Sequence, residues 1–148
     1  MQEKTKPVFL VATANDVSQL PPEMLRKGRF DELFFVDLPN LSERAAIWNI
    51  VIERHHRHPG DYDVAQLSRI TESLTGSEIE AVFLDALFAA FDEDREPSDL
   101  DIATVLNEFV PLSRLMSEQM EGLRRWAKGR ACGTTLNPKG EGGLRKVG

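Results

Sequence analysis

Leu20-Pro21-Pro22-Glu23-Met24-Leu25-Arg26-Lys27-Gly28-Arg29-Phe30-Asp31 stands between two short apolar runs, and these three pieces together decide the fold. Upstream, Val8-Phe9-Leu10-Val11-Ala12 is continuous rather than alternating, the pattern of a strand buried on both faces, as in a parallel sheet. Thr13-Ala14-Asn15-Asp16 closes it with small, turn-prone residues. Downstream, Leu33-Phe34-Phe35-Val36 predicts a second strand, closed by Asp37-Leu38-Pro39. Between them the prolines suit a first helical turn and Gly28 suits a helix end, so a short helix is expected. Strand, helix, strand reads as α/β.

From residue 40 the period changes to that of helices. Asn40 to Glu43 has the spacing of a capping box, and a helix is expected from Leu41 to Arg57 with Ile47, Ile50, Val51 and Arg54 along one side. Pro59-Gly60 breaks it, and Val64 to Ser73 predicts a second, shorter helix. Thr75-Gly76-Ser77-Glu78 is another capping box; behind it Ile79, Val82, Phe83, Ala86, Leu87, Ala90 and Phe91 recur at three and four. Pro97-Ser98 opens a fourth helix carrying Ile102, Val105, Leu106 and Phe109. After Pro111, Leu115 to Trp126 suggests a fifth. Residues 40–128 therefore read as a small helical bundle.

The chain has 148 residues, 41% hydrophobic and 28% charged, with a net charge of -6. That balance excludes wholesale disorder, and no apolar stretch approaches the ~20 residues that span a bilayer. One cysteine, Cys132, excludes an internal disulfide framework and a cysteine-rich zinc site. Residues 1–121 hold 11 Lys+Arg and 23 Asp+Glu, whereas residues 122–148 hold 7 and one. An acidic body disfavours general nucleic-acid binding. The basic, Gly-rich stretch 131–148 is expected to be disordered.

Few residues carry chemistry on their own. Asn15 sits where a buried strand would end, the place at which open α/β sheets bind ligands; a turn-forming role is the plainer reading. Arg26 and Arg29 present two guanidinium forks around Gly28, which match phosphate oxygens, or else they pair with Glu23, Asp31 and Glu32. His55, His56 and His58 cluster at a helix end, where positive charge is favourable, and no closed metal shell accompanies them.

In order and spacing, Val11 to Asp16, Leu20 to Asp31 and Phe35 to Pro39 closely resemble the second region of homology of AAA ATPases. Thr75 to Glu80 resembles the start of the third lid helix of that family. The resemblance covers residues 7–110 and is strongest to FtsH-like AAA ATPases of cyanobacteria and algal plastids. It implies an α/β fragment, two strands of a parallel P-loop NTPase sheet, followed by an all-α lid bundle. It divides the chain into residues 1–39, part of the ATPase core; 40–110, the lid; 111–130, a C-terminal helical extension; and 131–148, the basic tail.

The same resemblance implies site residues. Asn15 matches sensor 1, which orients the attacking water. Arg26 and Arg29 match arginine fingers, which act in trans on a neighbouring subunit's nucleotide. Gly76 and Ser77 match the lid position that approaches the bound nucleoside. ATP and Mg²⁺ are the implied cofactors; the implied partners are a homo-oligomeric ring or complete AAA subunits and a protein substrate, with no membrane and no nucleic acid. The implied location is the cytoplasm or a plastid stroma.

Two departures limit the expectation. A histidine on the first lid helix is matched here by Val51. The sequence contains no Gly-Lys dipeptide, so it lacks the P-loop G-x-x-x-x-G-K-[ST], and no Walker-B carboxylates are present. The chain alone is therefore expected to be inactive. Met1 to Thr5 resembles the interior of longer members, as if an internal methionine had become a start. Residues 41–110 are expected to fold alone better than residues 1–39, whose strands would lack the sheet's middle strand. A second expectation is a non-catalytic helical module that docks on a complete AAA ring; a third, a basic-tailed nucleic-acid adaptor, is opposed by the acidic body. No H-E-x-x-H peptidase motif follows residue 40.

Overall fold

The computed structural model describes residues 8–21, 23 and 30–134. The chain divides between Leu33 and Phe34 into two compact units.

In the first unit, residues 8–14 form no strand, and a 3-10 turn lies at Val17–Gln19. The expected strand at 8–12 is therefore not formed. Such a strand needs ladder neighbours on its edges and cover on both faces. Here Phe9 is 93% exposed, and Val8, Leu10 and Val11 are exposed as well.

The second unit begins with β1 (Phe34–Phe35), inside the strand expected at 33–36. Helices follow: α1 (Leu41–Arg54), α2 (Val64–Ile70), α3 (Gly76–Asp92), α4 (Asp99–Glu108), α5 (Leu112–Leu115) and α6 (Ser117–Ala127). The architecture is the expected α/β fragment followed by a helical bundle. The single helix expected after Pro111 is two, broken at Met116. Cys132–Gly133 forms β2, which pairs with β1 in parallel, Phe34 opposite Cys132 and Phe35 opposite Gly133. Disorder is expected from residue 131; residues 132–134 instead pair with residues 34–35, and residues 135–148 lie outside the described residues.

Capping fixes where the helices begin. Asn40 accepts from the Glu43 N–H while the Glu43 carboxylate accepts from the Asn40 N–H, both capping-box bonds at 2.9 and 2.8 Å. Thr75 with Glu78 and Ser98 with Asp101 repeat the arrangement on α3 and α4. α1 and α3 end alike. The Arg57 N–H donates to Ile52 O and the His56 N–H to Glu53 O; the Arg95 N–H donates to Ala90 O and the Asp94 N–H to Phe91 O. These are Schellman endings, with His56 (φ 58°) and Asp94 (φ 55°) in the left-handed position that glycine fills most easily.

The core joins Trp48, Val51 and Ile52 of α1 to Leu67, Leu74, Ile79, Val82, Phe83, Ala86 and Ile102. Phe83 is its centre: Trp48 and Tyr62 meet its ring edge-on, with centroids 6.2 and 5.7 Å away. The buried stripe of α1 is Arg44, Trp48, Val51 and Ile52. Ile50, 53% exposed, and Arg54 face solvent, contrary to the sequence reading. The indole is the largest apolar group of the helix, and seating it turns Ile50 outward. Phe91, expected on the inner face of α3, is 78% exposed.

Arg44 is only 6% exposed. Its Nε donates to Ser68 O at 2.7 Å and its Nη1 to Pro39 O at 2.6 Å. One side chain thus ties the segment before α1 to α2. Beside it, Trp48 Nε1 donates to Thr71 Oγ1 at 3.2 Å, and Thr71 Oγ1 donates to Leu67 O at 2.7 Å. The buried polar atoms here are thereby satisfied.

Candidate functional site

The helical unit brings Gly76 and Ser77 together on the first turn of α3. Helix N-termini leave amides without intrahelical partners. The Thr75 cap takes the Glu78 N–H at 3.3 Å, and Ile79 N–H reaches Thr75 O. The amides of Gly76 and Ser77 have no acceptor among the described residues. The turn thus presents two N–H donors at the positive end of a 17-residue helix.

Glu78 sets the charge of this turn. Its Oε2 accepts from the Thr75 N–H at 2.8 Å and from the Thr75 hydroxyl at 2.7 Å; its Oε1 accepts from the Leu112 N–H at 2.7 Å. Partial burial pushes its carboxyl up, but the bonds from Leu112 and Thr75 outweigh that and hold it below the ordinary glutamate value. An ionised carboxylate on the first turn offsets the helix's positive end. The turn is therefore better suited to a neutral, hydrogen-bonding group, such as a sugar hydroxyl or a base edge, than to a phosphate.

Packing does not require glycine at position 76. A Cβ there would meet Ile47 Cδ1 at 3.6 Å, ordinary van der Waals contact. Ser77 is exposed, with its hydroxyl 3.2 Å from Thr75 Oγ1.

Asn15 lies in the first unit at an exposed bend, and its carboxamide makes no hydrogen bond among the described residues. Its neighbour Asp16 closes the following turn by accepting from Gln19 Nε2 at 3.0 Å. Arg26 and Arg29 lie outside the described residues.

The three histidines have separate local duties. His55 Nε2 lies 3.2 Å from Glu80 Oε1, and its ring stacks at a tilt on Phe83. His56 occupies the left-handed position after α1. His58 Nδ1 accepts from the Gly60 N–H at 3.1 Å and caps the 3-10 turn Pro59–Asp61. Among the described residues no three His, Cys, Asp or Glu side chains gather as metal ligands. Val51 is a core residue and faces no surface site.

Two features escaped the sequence reading. Arg44 replaces an apolar residue on the buried stripe of α1; its four-residue spacing to Trp48 was the available signal. The fork of Arg124 on Asp37 (2.8 Å to each oxygen at its shortest) joins residues 87 apart and left no local signal.

No protein-family profile matches the chain. Curated relatives do. The chain belongs with the AAA ATPases and corresponds to a segment of them. It is 46% identical over 138 residues to the "uncharacterized AAA domain-containing protein ycf46" of Pyropia yezoensis, covering 92% of this chain and 28% of that protein. The protein of the same name from Trieres chinensis is 44% identical over 128 residues, 86% of this chain and 26% of that one. More distantly, the proteasome-activating nucleotidase of Archaeoglobus fulgidus is 34% identical over 113 residues, 73% of this chain and 28% of the other. The chain thus spans about a quarter of the length of the relatives it matches. Among the described residues no helix is long and apolar enough to cross a membrane.

Proposed function

We propose that this chain supplies half of an ATP site in an AAA assembly. Asn15 orients the attacking water, Arg26 and Arg29 reach as arginine fingers to the nucleotide of a neighbouring subunit, and the α3 turn at Gly76 and Ser77 approaches the nucleoside. Residues 1–39 belong to the ATPase core, 40–110 to the lid, and 111–130 to a C-terminal extension. The observation that carries the reading is the α3 turn. It presents two unused amides beside a glycine that packing does not demand. The ordered motifs at 11–16, 20–31 and 75–80 support it.

The missing half, a P-loop lysine and Walker-B carboxylates that hold ATP and Mg²⁺, comes in this reading from the rest of a longer protein or from complete partner subunits in a ring. When bound, Mg²⁺ neutralises charge on the β- and γ-phosphates. A guanidinium brought across a subunit boundary stabilises transition-state charge only in the assembled ring, which makes hydrolysis depend on assembly. The substrates are proteins, and the site of action is a plastid stroma or the cytoplasm.

Titration calorimetry of the purified chain with millimolar ATP and Mg²⁺ tests the half-site directly, and no binding is expected. One-to-one binding would overturn it. Mixed with a complete Pyropia yezoensis relative whose own fingers are removed, the chain is expected to restore ATP hydrolysis, and R26A/R29A to abolish the rescue. Equal rescue by that variant points instead to a docking module.

A further inference from the structure

The C-terminal segment holds residues 34–38 at both ends. β2 lies along β1, and Thr134 donates its N–H and its hydroxyl to Phe35 O at 3.2 and 3.3 Å. Two residues further, Arg124 of α6 forks onto Asp37: Nε lies 3.1 and 2.8 Å from the two oxygens and Nη2 lies 2.8 Å from Oδ1. Between α6 and β2 the chain reverses at Gly129, whose φ of 78° is one that L side chains rarely adopt. The boundary between the two compact units falls between Leu33 and Phe34, where this pairing starts.

We propose that residues 124–134 form a releasable strap that fixes residues 34–38 to the helical unit. With the strap closed, residues 34–38 are held by β2 and Arg124. With it open, the hold on the chain begins only at Pro39, whose carbonyl Arg44 holds, and Asn40, which caps α1. The strap is built for release. It has two strand residues on each side, Phe34 and Cys132 are exposed, and the Arg124–Asp37 fork is open enough to water for salt to screen it.

The register supplies the test, because the chain has one cysteine and Phe34 lies opposite it. Neighbouring strands run about 4.8 Å apart. That is within the roughly 4.4–6.8 Å Cα separation that a disulfide spans. Phe34→Cys in the full chain, oxidised with glutathione disulfide, is expected to close an intrachain disulfide about tenfold faster than Phe88→Cys, an exposed control on α3. Adding Asp37→Asn or Arg124→Gln, or raising NaCl to about 1 M, is expected to slow closure about two- to fivefold. Hydrogen exchange of residues 34–38 in Arg124→Gln, with the cysteine pair absent, is expected to quicken by a similar factor while α1 to α4 stay unchanged. Equal rates for the two cysteine variants would refute the pairing. A Phe34→Cys rate insensitive to both latch variants and to salt would make the contact permanent and refute release.

Discussion

Glu78→Ala removes three hydrogen bonds to an ionised carboxylate, from the Thr75 N–H, the Thr75 hydroxyl and the Leu112 N–H. A lost helix cap costs about 1 kcal/mol. A hydrogen bond to a charged group contributes about 1.5–3 kcal/mol when shielded. Glu78 is half-buried, so the lower end applies, and the sum is about 2.5 kcal/mol at pH 7. With a urea slope near 1–3 kcal/mol/M, the midpoint followed by far-UV circular dichroism should fall by about 1 M. The pH dependence has a fixed sign. Because the folded-state carboxyl is held below its unfolded value, the stabilisation is complete above about pH 5 and is lost as pH falls through the folded value. The wild-type and Glu78→Ala curves should therefore converge in acid, with Glu78→Gln between them at pH 7. A loss under about 0.5 kcal/mol, or a gap that stays constant between pH 3 and 7, would refute the account of this turn.

His56→Gly should raise stability by about 0.5–1 kcal/mol, read as a higher thermal midpoint, because the residue holds a left-handed conformation at no benefit to packing. Ile52→Ala should cost about 2–4 kcal/mol, and Ile50→Ser less than about 0.5 kcal/mol; urea unfolding of the pair fixes which face of α1 is buried. Gly76→Ala should leave stability within about 0.5 kcal/mol of the parent, yet weaken ATP hydrolysis in the reconstituted assembly. Asp101→Asn should lower the thermal midpoint at pH 7 and leave it nearly unchanged in strong acid. Arg95 first, then Ser98, hold that carboxyl well below its usual value, so its contribution is present above the unfolded value and disappears as pH falls.

Most of the helical unit was legible because its signals are local. Thr75 with Glu78 and Asn40 with Glu43 each lie three apart and each became a cap, and Pro97-Ser98 marked the start of α4. The face of α1 was misread because Ile50 looks as apolar as Ile52, and only the seating of Trp48 against Phe83 separates them. The run at 8–12 has the composition of a buried strand, but a strand is a property of its neighbours as much as of its residues. Pairing of residues 34–35 with 132–133, and of Asp37 with Arg124, depends on how the chain returns after α6, which no short-range pattern records. The roles proposed for Asn15, Arg26, Arg29, Gly76 and Ser77 come from motif order; among the described residues the α3 turn adds a physical reason.

The segment that leads into the bundle is gripped by two arginines of opposite temperament. Arg124 holds a carboxylate, so acid can neutralise its partner and electrolyte can compete for both charges. Arg44 holds only peptide carbonyls, Pro39 on one side and Ser68 on the other, which neither titrate nor exchange for dissolved ions. No change of buffer loosens that second grip short of unfolding the helices around it. Solution conditions can thus tune the approach to residue 38, while the joint at residue 39 keeps one geometry for as long as the bundle exists.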